Sequence, residues 1–560
     1  MSNCASLFYE VNACAQKKGI IMVSRRDAVS FSLGALVAAS LPVGLYRSFS
    51  ESHGRLDWGR GYDGQRIADL GNGLFRNPIF AGDHPDPSIL KVGDTYYLTF
   101  STFDAYPGLM IWQSQDLINW QPVTAALTKP IGSVWAPDLA YHNGRFYLYI
   151  PARFEEYKSI YVIYADKIEG PWSDPIDLKL PDHIDPAHIV DENGQRFLFL
   201  SQGDIVQLAE NGLSTEGDVA HVYDPWRYPE DWDVECFCPE GPKLVKKDGW
   251  FYMLTAVGGT AGPPTGHMVI AARSKSLMGP WEHAPHNPIA RTQTRAEAWW
   301  SRGHASLIEG PAGEWWMISH GYEKDFWTLG RQCILEPIRW RPDGWFEAIA
   351  SDLSEAMEKP LLAKAHPTDT RPEIIHGQPL SDSLRGSLGQ QWAFYRPGRS
   401  EEARLTTSPE GLYLAAKGDG PANSSPLAVV AGDQAYECEV TIDRNAGAQA
   451  GLLLFYNWRL YCGLGFDDFG LVMHRFGTPR RIRDIVSANT SRLSVRIKND
   501  HHIVTCYLKQ DHGDWKKFDV QMEVSGYHHN TAYDFLSLRP ALFVSGSGEA
   551  RFSDFKYRAV

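Results

Sequence analysis

Short apolar runs alternate with polar turns along most of this chain. The runs are rich in aromatic and β-branched residues and are bounded by Gly, Asn or Asp, which is typical of β-strands. They include TYYLTFST, RFYLYI, SIYVIYA, RFLFLS, WFYMLTA, MVIAARS and EWWMISH. No stretch of comparable length with helical periodicity separates them. The pattern therefore predicts an all-β protein.

Five stretches share one plan, in which a proton-carrying residue leads into a β-rich run interrupted by a Gly-containing turn. They begin at Asp86, Asp138, Asp185, Glu240 and His304, with spacings of 52, 47, 55 and 64 residues. Such spacings correspond to four-stranded propeller blades. Equivalent positions of successive blades converge on one axis. We therefore predict a five-bladed β-propeller whose centre gathers four carboxyls and an imidazole, an arrangement suited to acid–base chemistry.

A second repeated sequence pattern supports the division into blades. Ser114–Trp120 (SQDLINW), Ala165–Trp172 (ADKIEGPW) and Ser274–Trp281 (SKSLMGPW) share one pattern. We interpret each as the turn before the outer strand of a blade, closed by a Trp that packs between blades.

The chain divides into five segments by these patterns. We predict an export segment at 1–47, a polar lead-in at 48–76, the propeller at 77–351, a Pro-containing linker at 352–378 and a second domain at 379–560. The last segment contains strands of a different rhythm, among them AYECEVTIDR, AGLLLFYN and HHIVTCYLK. Their alternation and turn signals predict an antiparallel β-sandwich.

The first segment resembles a twin-arginine export signal. Paired arginines in Ser24–Asp27 (SRRD) precede a modest apolar stretch, Ala28–Tyr46, as in such signals. The alternative is an ordinary apolar helix, and Met22 is an alternative start. We expect a periplasmic or secreted protein, with no stable membrane partner unless this segment stays uncleaved.

The amino-acid composition limits the kinds of molecule that we expect the protein to bind. The net charge is −13 and there is no long basic run, which argues against a nucleic-acid partner and fits a neutral substrate. The aromatic content of 12% suits strands, and it also suits sugar binding, in which apolar sugar faces stack on rings.

The cysteines and acidic residues show no metal-ligand spacing. There are eight cysteines, and Cys236-Phe-Cys238 is too tight for a structural zinc pair. We interpret most of the cysteines as buried thiols. A metal-dependent hydrolase is disfavoured, since His/Asp clusters at ligand spacing are missing from the sequence.

Three carboxyls lie in sharply defined contexts: Asp86 in NPIFAGDHPDPS, Asp138 in VWAPDL and Glu240 in CPEGP. Glycosidic bond hydrolysis needs a carboxylic acid to protonate the leaving oxygen and a carboxylate to activate water or attack directly. In this order and spacing, over about residues 77–346, the contexts resemble glycoside hydrolase family 43. Its β-xylosidases and α-L-arabinofuranosidases are five-bladed propellers, and a C-terminal sandwich is a common appendage.

The resemblance implies a role for each carboxyl. Asp86 would be the general base, Glu240 the general acid, and Asp138 the group that orients the acid and tunes its pKa. The family inverts configuration, which implies carboxyls about 6.5–9.5 Å apart with room for a water molecule. We expect the charges of Asp138 and Asp86 to raise the pKa of Glu240.

Six further residues are weaker candidates for substrate binding. Arg331 matches a Gly-Arg motif of the family that binds sugar hydroxyls, the alternative being a surface ion pair. His304 matches the histidine at the propeller axis, which in some relatives lies beside a bound calcium or a water cluster, so we expect no required cofactor but allow calcium there. Asp185 is either a substrate or second-layer contact or a structural residue. Trp135, Phe103 and Tyr106 are either sugar platforms or core residues.

These features predict an inverting exo-glycosidase that removes terminal pentosyl units, foremost β-D-xylosyl, from plant cell-wall oligosaccharides. Within enzymes, the alternatives are an α-L-arabinofuranosidase or a galactosidase-type relative. From another class, the alternative is a non-catalytic carbohydrate-binding propeller. The three intact carboxyls count against that last alternative, since a lectin has no need of them. We expect the sandwich to serve as scaffold and as one wall of the pocket.

Overall fold

The structure is a computed structural model that describes residues 58–362, 374–511 and 513–560. The predicted export segment, residues 48–57 of the lead-in and residues 363–373 of the linker lie outside this range. Within the described ranges, no helix combines the length and the apolar character that crossing a bilayer requires.

Five antiparallel sheets form the first part of the chain, one for each predicted blade. Each sheet is built from consecutive strands in meander order. In blade 1 they are Ser88–Val92, Thr95–Thr99, Gly108–Ser114 and Gln121–Leu127. In blade 2 they are Asp138–His142, Arg145–Phe154, Tyr157–Ala165 and Ile176–Asp177, with Ser133–Val134 beside the second strand. In blade 3 they are Ala187–Val190, Arg196–Leu200, Asp204–Leu208 and Thr215–His221.

The last two blades have longer inner strands. In blade 4 the strands are Cys236–Lys247, Trp250–Gly258, Met268–Ser274 and Glu282–His283, with Ala290–Arg291 beside the third. In blade 5 they are Trp299–Glu309, Trp315–Glu323, Arg331–Trp340 and Phe346–Ala348. The short strands Gly59–Arg60 and Arg66–Ile67 pair with each other, and Leu74–Phe75 pairs with Met357–Glu358.

The inner strands close a ring, because each contacts the inner strand of the next blade and blade 5 contacts blade 1. Apolar residues of adjacent blades form a shared core at each of the five junctions. The predicted five-bladed propeller is therefore confirmed.

The tryptophans that end the three repeated turn segments occupy equivalent positions in their blades. The indole N–H groups of Trp120, Trp172 and Trp281 donate to the carbonyls of Leu117, Ile168 and Leu277, three or four residues earlier. Each indole packs in a core between two blades, as predicted.

Two larger antiparallel sheets form the C-terminal part. One contains, in spatial order, Thr478–Ile482, Gly470–Arg475, Tyr461–Asp467, Ala448–Phe455, Arg539–Gly546, Leu427–Ala428 and Ala393–Tyr395. The other contains Leu405–Ser408, Gly411–Ala415, Glu549–Ala559, Ala435–Arg444, Arg492–Asp500, Ile503–Lys509 and Lys516–Glu523. One apolar core is built from both sheets, which agrees with the predicted sandwich.

Helical structure among the described residues is short. The α-helix is His529–Ala532. The 3₁₀ turns are Tyr62–Gly64, Ser201–Gly203, Trp327–Leu329, Glu401–Arg404 and Pro421–Asn423.

Propeller and sandwich belong to one compact unit and share backbone and side-chain contacts. The propeller strand Ala105–Tyr106 pairs with Ala393–Tyr395 and so extends the first sandwich sheet. The guanidinium of Arg66 forms a bidentate ion pair with Glu323. Glu323 also accepts a hydrogen bond from the side-chain amide of Gln434 in the sandwich (2.6 Å). The sandwich is thus fixed against the propeller.

Four of the described cysteines are buried thiols, as predicted: Cys333, Cys438, Cys462 and Cys506. Cys236 and Cys238 instead form a disulfide.

Candidate active site

One backbone feature recurs in or just before the inner strands of four blades. Asp86, Asp185, Gly241 and His304 have φ values of 56°, 54°, 59° and 47°. This left-handed conformation is uncommon for residues other than Gly, and it is found mostly where the surroundings require it. Asp86 and Asp185 lie two residues before the first strands of blades 1 and 3, and Gly241 and His304 lie within the first strands of blades 4 and 5. We call Asp86, Asp185, Glu240 and His304 the site ring, since Glu240 directly precedes Gly241.

Asp86 is held by two side-chain donors and by His320, whose Nδ1 accepts from the backbone N–H of Asp86 (3.0 Å). Nη1 of Arg331 donates to its Oδ1 (2.7 Å), and the hydroxyl of Ser101 donates to its Oδ2 (2.5 Å). Nδ1 of His320 lies 3.1 Å from Oδ1. Burial alone would raise the pKa of Asp86, but Arg331, His304 and His320 hold that pKa well below its usual range. Asp86 is therefore an ionised carboxylate with its side chain 4% exposed.

Glu240 faces two imidazoles. Its Oε1 lies 3.5 Å from Nε2 of His267 and 3.5 Å from Nε2 of His304. Its side chain is 20% exposed, so Glu240 is the more open of the two carboxyls. Nδ1 of His267 lies 3.4 Å from Nε2 of His320, so imidazoles connect the surroundings of Glu240 and Asp86.

His304 lies between the two carboxyls. Its Nδ1 is 3.5 Å from Oδ1 of Asp86, and its Nε2 is 3.5 Å from Oε1 of Glu240. Because both oxygens lie against one imidazole, they are at most about 9 Å apart, which does not exceed the range of about 6.5–9.5 Å between the carboxyls of inverting enzymes. Burial opposes protonation of His304, but Asp86 and Glu240 raise its pKa to about 9.

Asp185 is the third carboxyl of the site ring. Its Oδ2 accepts a hydrogen bond from the backbone N–H of Gly241 (2.9 Å), the residue after Glu240. Burial raises the pKa of Asp185 to about 7, opposed by His304 and assisted by the charges of Glu240 and Asp86. Asp185 thus contacts the peptide next to Glu240, and it binds a proton more readily than an ordinary aspartate does.

The structure does not bring Asp138 into this cluster. Oδ1 of Asp138 pairs with Nζ of Lys243 (2.6 Å) and accepts from the hydroxyl of Ser88 (3.3 Å). Its Oδ2 accepts from the backbone N–H of His188 (2.8 Å). We call Ser88, Asp138 and Lys243 the channel ring, because they line a cavity between the inner strands.

The reason is a shift of two residues in blade 2. Ser88 and Asp138 are each the first residue of an inner strand, so Asp138 corresponds to Ser88 and not to Asp86. Ala136 stands at the position of Asp86, two residues earlier. The expectation that Asp138 orients the acid is not supported by these contacts, and Asp185 lies where that group is needed.

The other sequence candidates divide between site and core. Arg331 contacts Asp86 as described, and its Nη1 also donates to the hydroxyl of Thr260 (3.2 Å). Phe103 is buried, and its ring centroid lies 5.5 Å from the guanidinium carbon of Arg331. Tyr106 is a core residue of blades 1 and 2, with its hydroxyl donating to the carbonyl of Gly132 (2.5 Å). Trp135 packs, partly buried, against the sandwich core.

Several site residues were missed from the sequence. His267, His320 and Thr260 have no motif around them that points to the site. Phe535 comes from the sandwich, and its ring lies 5.1 Å from the guanidinium carbon of Arg331 and stacks on Phe103. The misplacement in blade 2 had a signal in the sequence, since aligning the repeats on Pro87, Pro137 and Pro186 places Ala136 at the lead position.

The expected rise of the pKa of Glu240 is wrong. Burial would raise this pKa, but His267 and His304 lower it below its usual range. The raised carboxyl pKa belongs to Asp185 instead.

Glu240, His267 and His304 could hold a metal ion, because their donor atoms lie within 4.8 Å of one another. Two imidazole nitrogens and one carboxylate suit a transition metal such as zinc. Calcium takes six to eight oxygen ligands, so these residues alone do not fit the calcium suggested for His304.

Comparison with known proteins identifies the family. The family model described as Glycosyl hydrolases family 43 matches residues 75–346. The xylan 1,3-beta-xylosidase of a Vibrio species is 34% identical over 373 residues, which cover 58% of this chain and 67% of that protein. The chain belongs to glycosyl hydrolase family 43. This family 43 protein is therefore a glycoside hydrolase, as the sequence predicted.

Other relatives agree with this placement. The non-reducing end alpha-L-arabinofuranosidase BoGH43B of Bacteroides ovatus is 31% identical over 371 residues, covering 62% of this chain and 65% of that protein. The chain thus spans about two thirds of the length of these two curated relatives. Among solved structures, the family 43 protein BlXynB of Bacillus licheniformis has a TM-score of 0.75 at 25% identity, covering 87% of this chain and 100% of its own. The xylan beta-1,4-xylosidase of Bacillus halodurans has a TM-score of 0.73 at 26% identity, covering 86% and 99%.

Proposed function

We propose that this family 43 protein is an inverting exo-glycosidase that removes terminal pentosyl units, foremost β-D-xylosyl, from plant cell-wall oligosaccharides. The observation that supports it most is the pair Asp86 and Glu240 on opposite nitrogens of His304. Because both carboxyls face one imidazole, one of them can hold a water molecule while the other reaches the leaving oxygen.

In the proposed reaction Asp86 is the general base. It takes a proton from the water that attacks the anomeric carbon, and it is available because Arg331, His304 and His320 favour its ionised form. Arg331 has further N–H groups in its planar fork, which would bind hydroxyls of the sugar while one stays on Asp86.

Glu240 is the proposed general acid, which protonates the glycosidic oxygen as the bond breaks. His267 and His304 lower its pKa, and its side chain is in contact with solvent. A bound sugar would displace that water, and desolvation disfavours a charged carboxylate. We therefore expect substrate binding to raise the pKa of Glu240. Asp185, which accepts from the N–H of Gly241, is the proposed positioning carboxyl in place of Asp138.

The identity of the sugar rests on the relatives. Both a xylosidase and an arabinofuranosidase are similar to this chain at 34% and 31% identity. The deciding experiment compares hydrolysis of 4-nitrophenyl β-D-xyloside with that of 4-nitrophenyl α-L-arabinofuranoside. A higher kcat/KM for the xyloside supports the proposal, and a higher value for the arabinofuranoside selects the alternative.

Proton NMR of the first-formed sugar tests the stereochemistry. Hydrolysis of a β-xyloside should release α-xylose first, with the β-anomer growing in only by mutarotation. Release of the β-anomer first would show retention and would reassign Asp86 as a nucleophile.

A further inference from the structure

The disulfide between Cys236 and Cys238 lies next to the proposed acid. Cys238 and Glu240 are separated only by Pro239, and all three belong to the inner strand of blade 4. Cys238 is buried, whereas Cys236 is partly exposed, so a small reductant can approach the bond. The proposed reaction does not use these sulfurs, and their position calls for an explanation.

The strand around Glu240 departs from regular pairing on both sides. Cys236 pairs with Gly258, Glu240 with Ala256, and Lys243 with Leu254, with register shifts between each of these pairs. The inner strand therefore contains extra residues before and after Glu240. Bulges of this kind re-aim a side chain and disrupt the local hydrogen-bond ladder. Glu240 depends on something other than the ladder for its position.

Covalent restraints are present on both sides of the bulge. After Glu240, Gly241 has a positive φ and Pro242 follows it. Before Glu240, the disulfide closes a small ring over Cys236–Cys238, and Pro239 fixes one backbone angle. Cys238 itself has a φ of 30°, an unusual value for a residue with a side chain. The ring limits the alternative conformations of this segment.

The same segment anchors a wall of the site. Oε2 of Glu235, next to Cys236, accepts from the backbone N–H of Ala261 (3.0 Å). That loop includes Thr260, whose hydroxyl accepts from Arg331. A shift of residues 235–240 would therefore disturb both Glu240 and the contact of Thr260 with Arg331.

We propose that the Cys236–Cys238 disulfide holds Glu240 in its acid position, so that the hydrolase is more active oxidised than reduced. This inference rests on the proposed function. Reduction by a dithiol transfers two electrons and two protons: the S–S bond breaks, two thiols form, and the dithiol becomes a disulfide. Released Cys236 and Cys238 then give the bulge additional freedom, and Glu240 loses alignment with the leaving oxygen.

The test compares two leaving groups before and after reduction of the full chain. In a pentoside with a methyl or sugar aglycone, the leaving oxygen needs a proton from Glu240. In a 2,4-dinitrophenyl pentoside, the dinitrophenolate departs without a proton. Reduction with dithiothreitol should lower kcat about tenfold or more for the poor leaving group, since small misplacements have large effects on rate. The dinitrophenyl substrate should change by less than about twofold. Thiol titration should show two additional thiols, and oxidised glutathione should restore activity.

The double variant Cys236→Ser/Cys238→Ser serves as the matched control. It should have the lowered kcat on the poor leaving group from the start and should not respond to dithiothreitol. If it fails to fold, the wild-type comparison still decides the question.

Three results are informative. Full activity of the reduced enzyme, with two new thiols confirmed, would overturn the inference. An equal loss on both leaving groups would overturn it too, since that indicates general damage to the site. If the oxidised enzyme hydrolyses neither the β-D-xyloside nor the α-L-arabinofuranoside, the proposed function fails, and that failure is separate from any effect of the disulfide.

Discussion

The site ring and the channel ring both draw residues from blades 1 and 4, yet their charged groups have different surroundings. In the channel ring, Asp138 is neutralised by Lys243 at 2.6 Å, and its oxygens are satisfied by neighbouring donors. In the site ring, two acidic groups, Asp86 and Glu240, share one imidazole, and the pKa of Asp185 is raised to about 7. A shift of two residues along a strand thus separates a structural ion pair from a set of groups poised for proton transfer. Perturbed pKa values are common at functional sites, and all four groups of the site ring have them.

The largest expected effect comes from removing the acid of the site ring. Glu240→Gln should lower kcat on a poor leaving group by about 10³–10⁴-fold, because the variant has no proton to give. Steady-state kinetics with methyl and 2,4-dinitrophenyl glycosides measures it, and the activated substrate should lose far less. A loss of the same size on both substrates would remove Glu240 from the acid role.

Next in size is the base of the site ring. Asp86→Asn should lower kcat by about 10²–10⁴-fold on every leaving group, since water activation is needed whatever departs. Circular dichroism should confirm that the variant is folded despite leaving Arg331 without its partner. A loss under about tenfold would argue that Asp86 is not the base.

The channel ring should respond in stability instead. Lys243→Met leaves Asp138 buried and uncompensated, which lowers the free energy of unfolding by about 3–5 kcal/mol. Urea unfolding measures this change, and kcat of the folded variant should stay within about threefold of the wild type. A large loss of kcat with unchanged stability would erase the distinction between the two rings.

A smaller effect is expected at Glu323, a neutralised carboxyl outside both rings. Burial would raise the pKa of Glu323, but Arg66 lowers it. The ionised carboxylate therefore stabilises the fold above pH about 4.5, and this stabilisation is lost as the pH falls through the lowered pKa. Glu323→Gln should cost about 2 kcal/mol at pH 7, with Asp433 still beside Arg66.

Thermal unfolding across pH checks the sign of this effect. The difference in Tm between wild type and Glu323→Gln should shrink as the pH drops below about 4.5. A difference that grows on acidification would contradict the lowered pKa of Glu323.

Much of the fold could be predicted because recognisable residues mark the start and the turns of each repeat. The lead carboxyls, the turn tryptophans Trp120, Trp172 and Trp281, and the aromatic strands all recur at blade length. Asp86, Glu240 and Arg331 were found because their contexts are distinctive. Asp138 was assigned to the site because the repeats were aligned on the acidic residue, whereas the strand of blade 2 begins two residues earlier than that alignment assumes.

Other features could not be read from the sequence for physical reasons. His267, His320 and Phe535 reach the site only through folding of separate blades and of the sandwich, and no local pattern marks them. The lowered pKa of Glu240 depends on two imidazoles that are distant in the sequence. The pairing of Cys236 with Cys238 requires the bulge that brings their sulfurs together.

The most direct test of the two-ring account is the paired measurement of kcat for Asp185→Asn and Asp138→Asn on one poor-leaving-group pentoside. The account predicts a loss of about 10²-fold or more for Asp185→Asn, because it changes the group beside Glu240. Asp138→Asn should keep kcat within about threefold of the wild type while lowering stability by roughly 3 kcal/mol. The opposite result, with Asp138→Asn inactive and Asp185→Asn near wild type, would contradict the account.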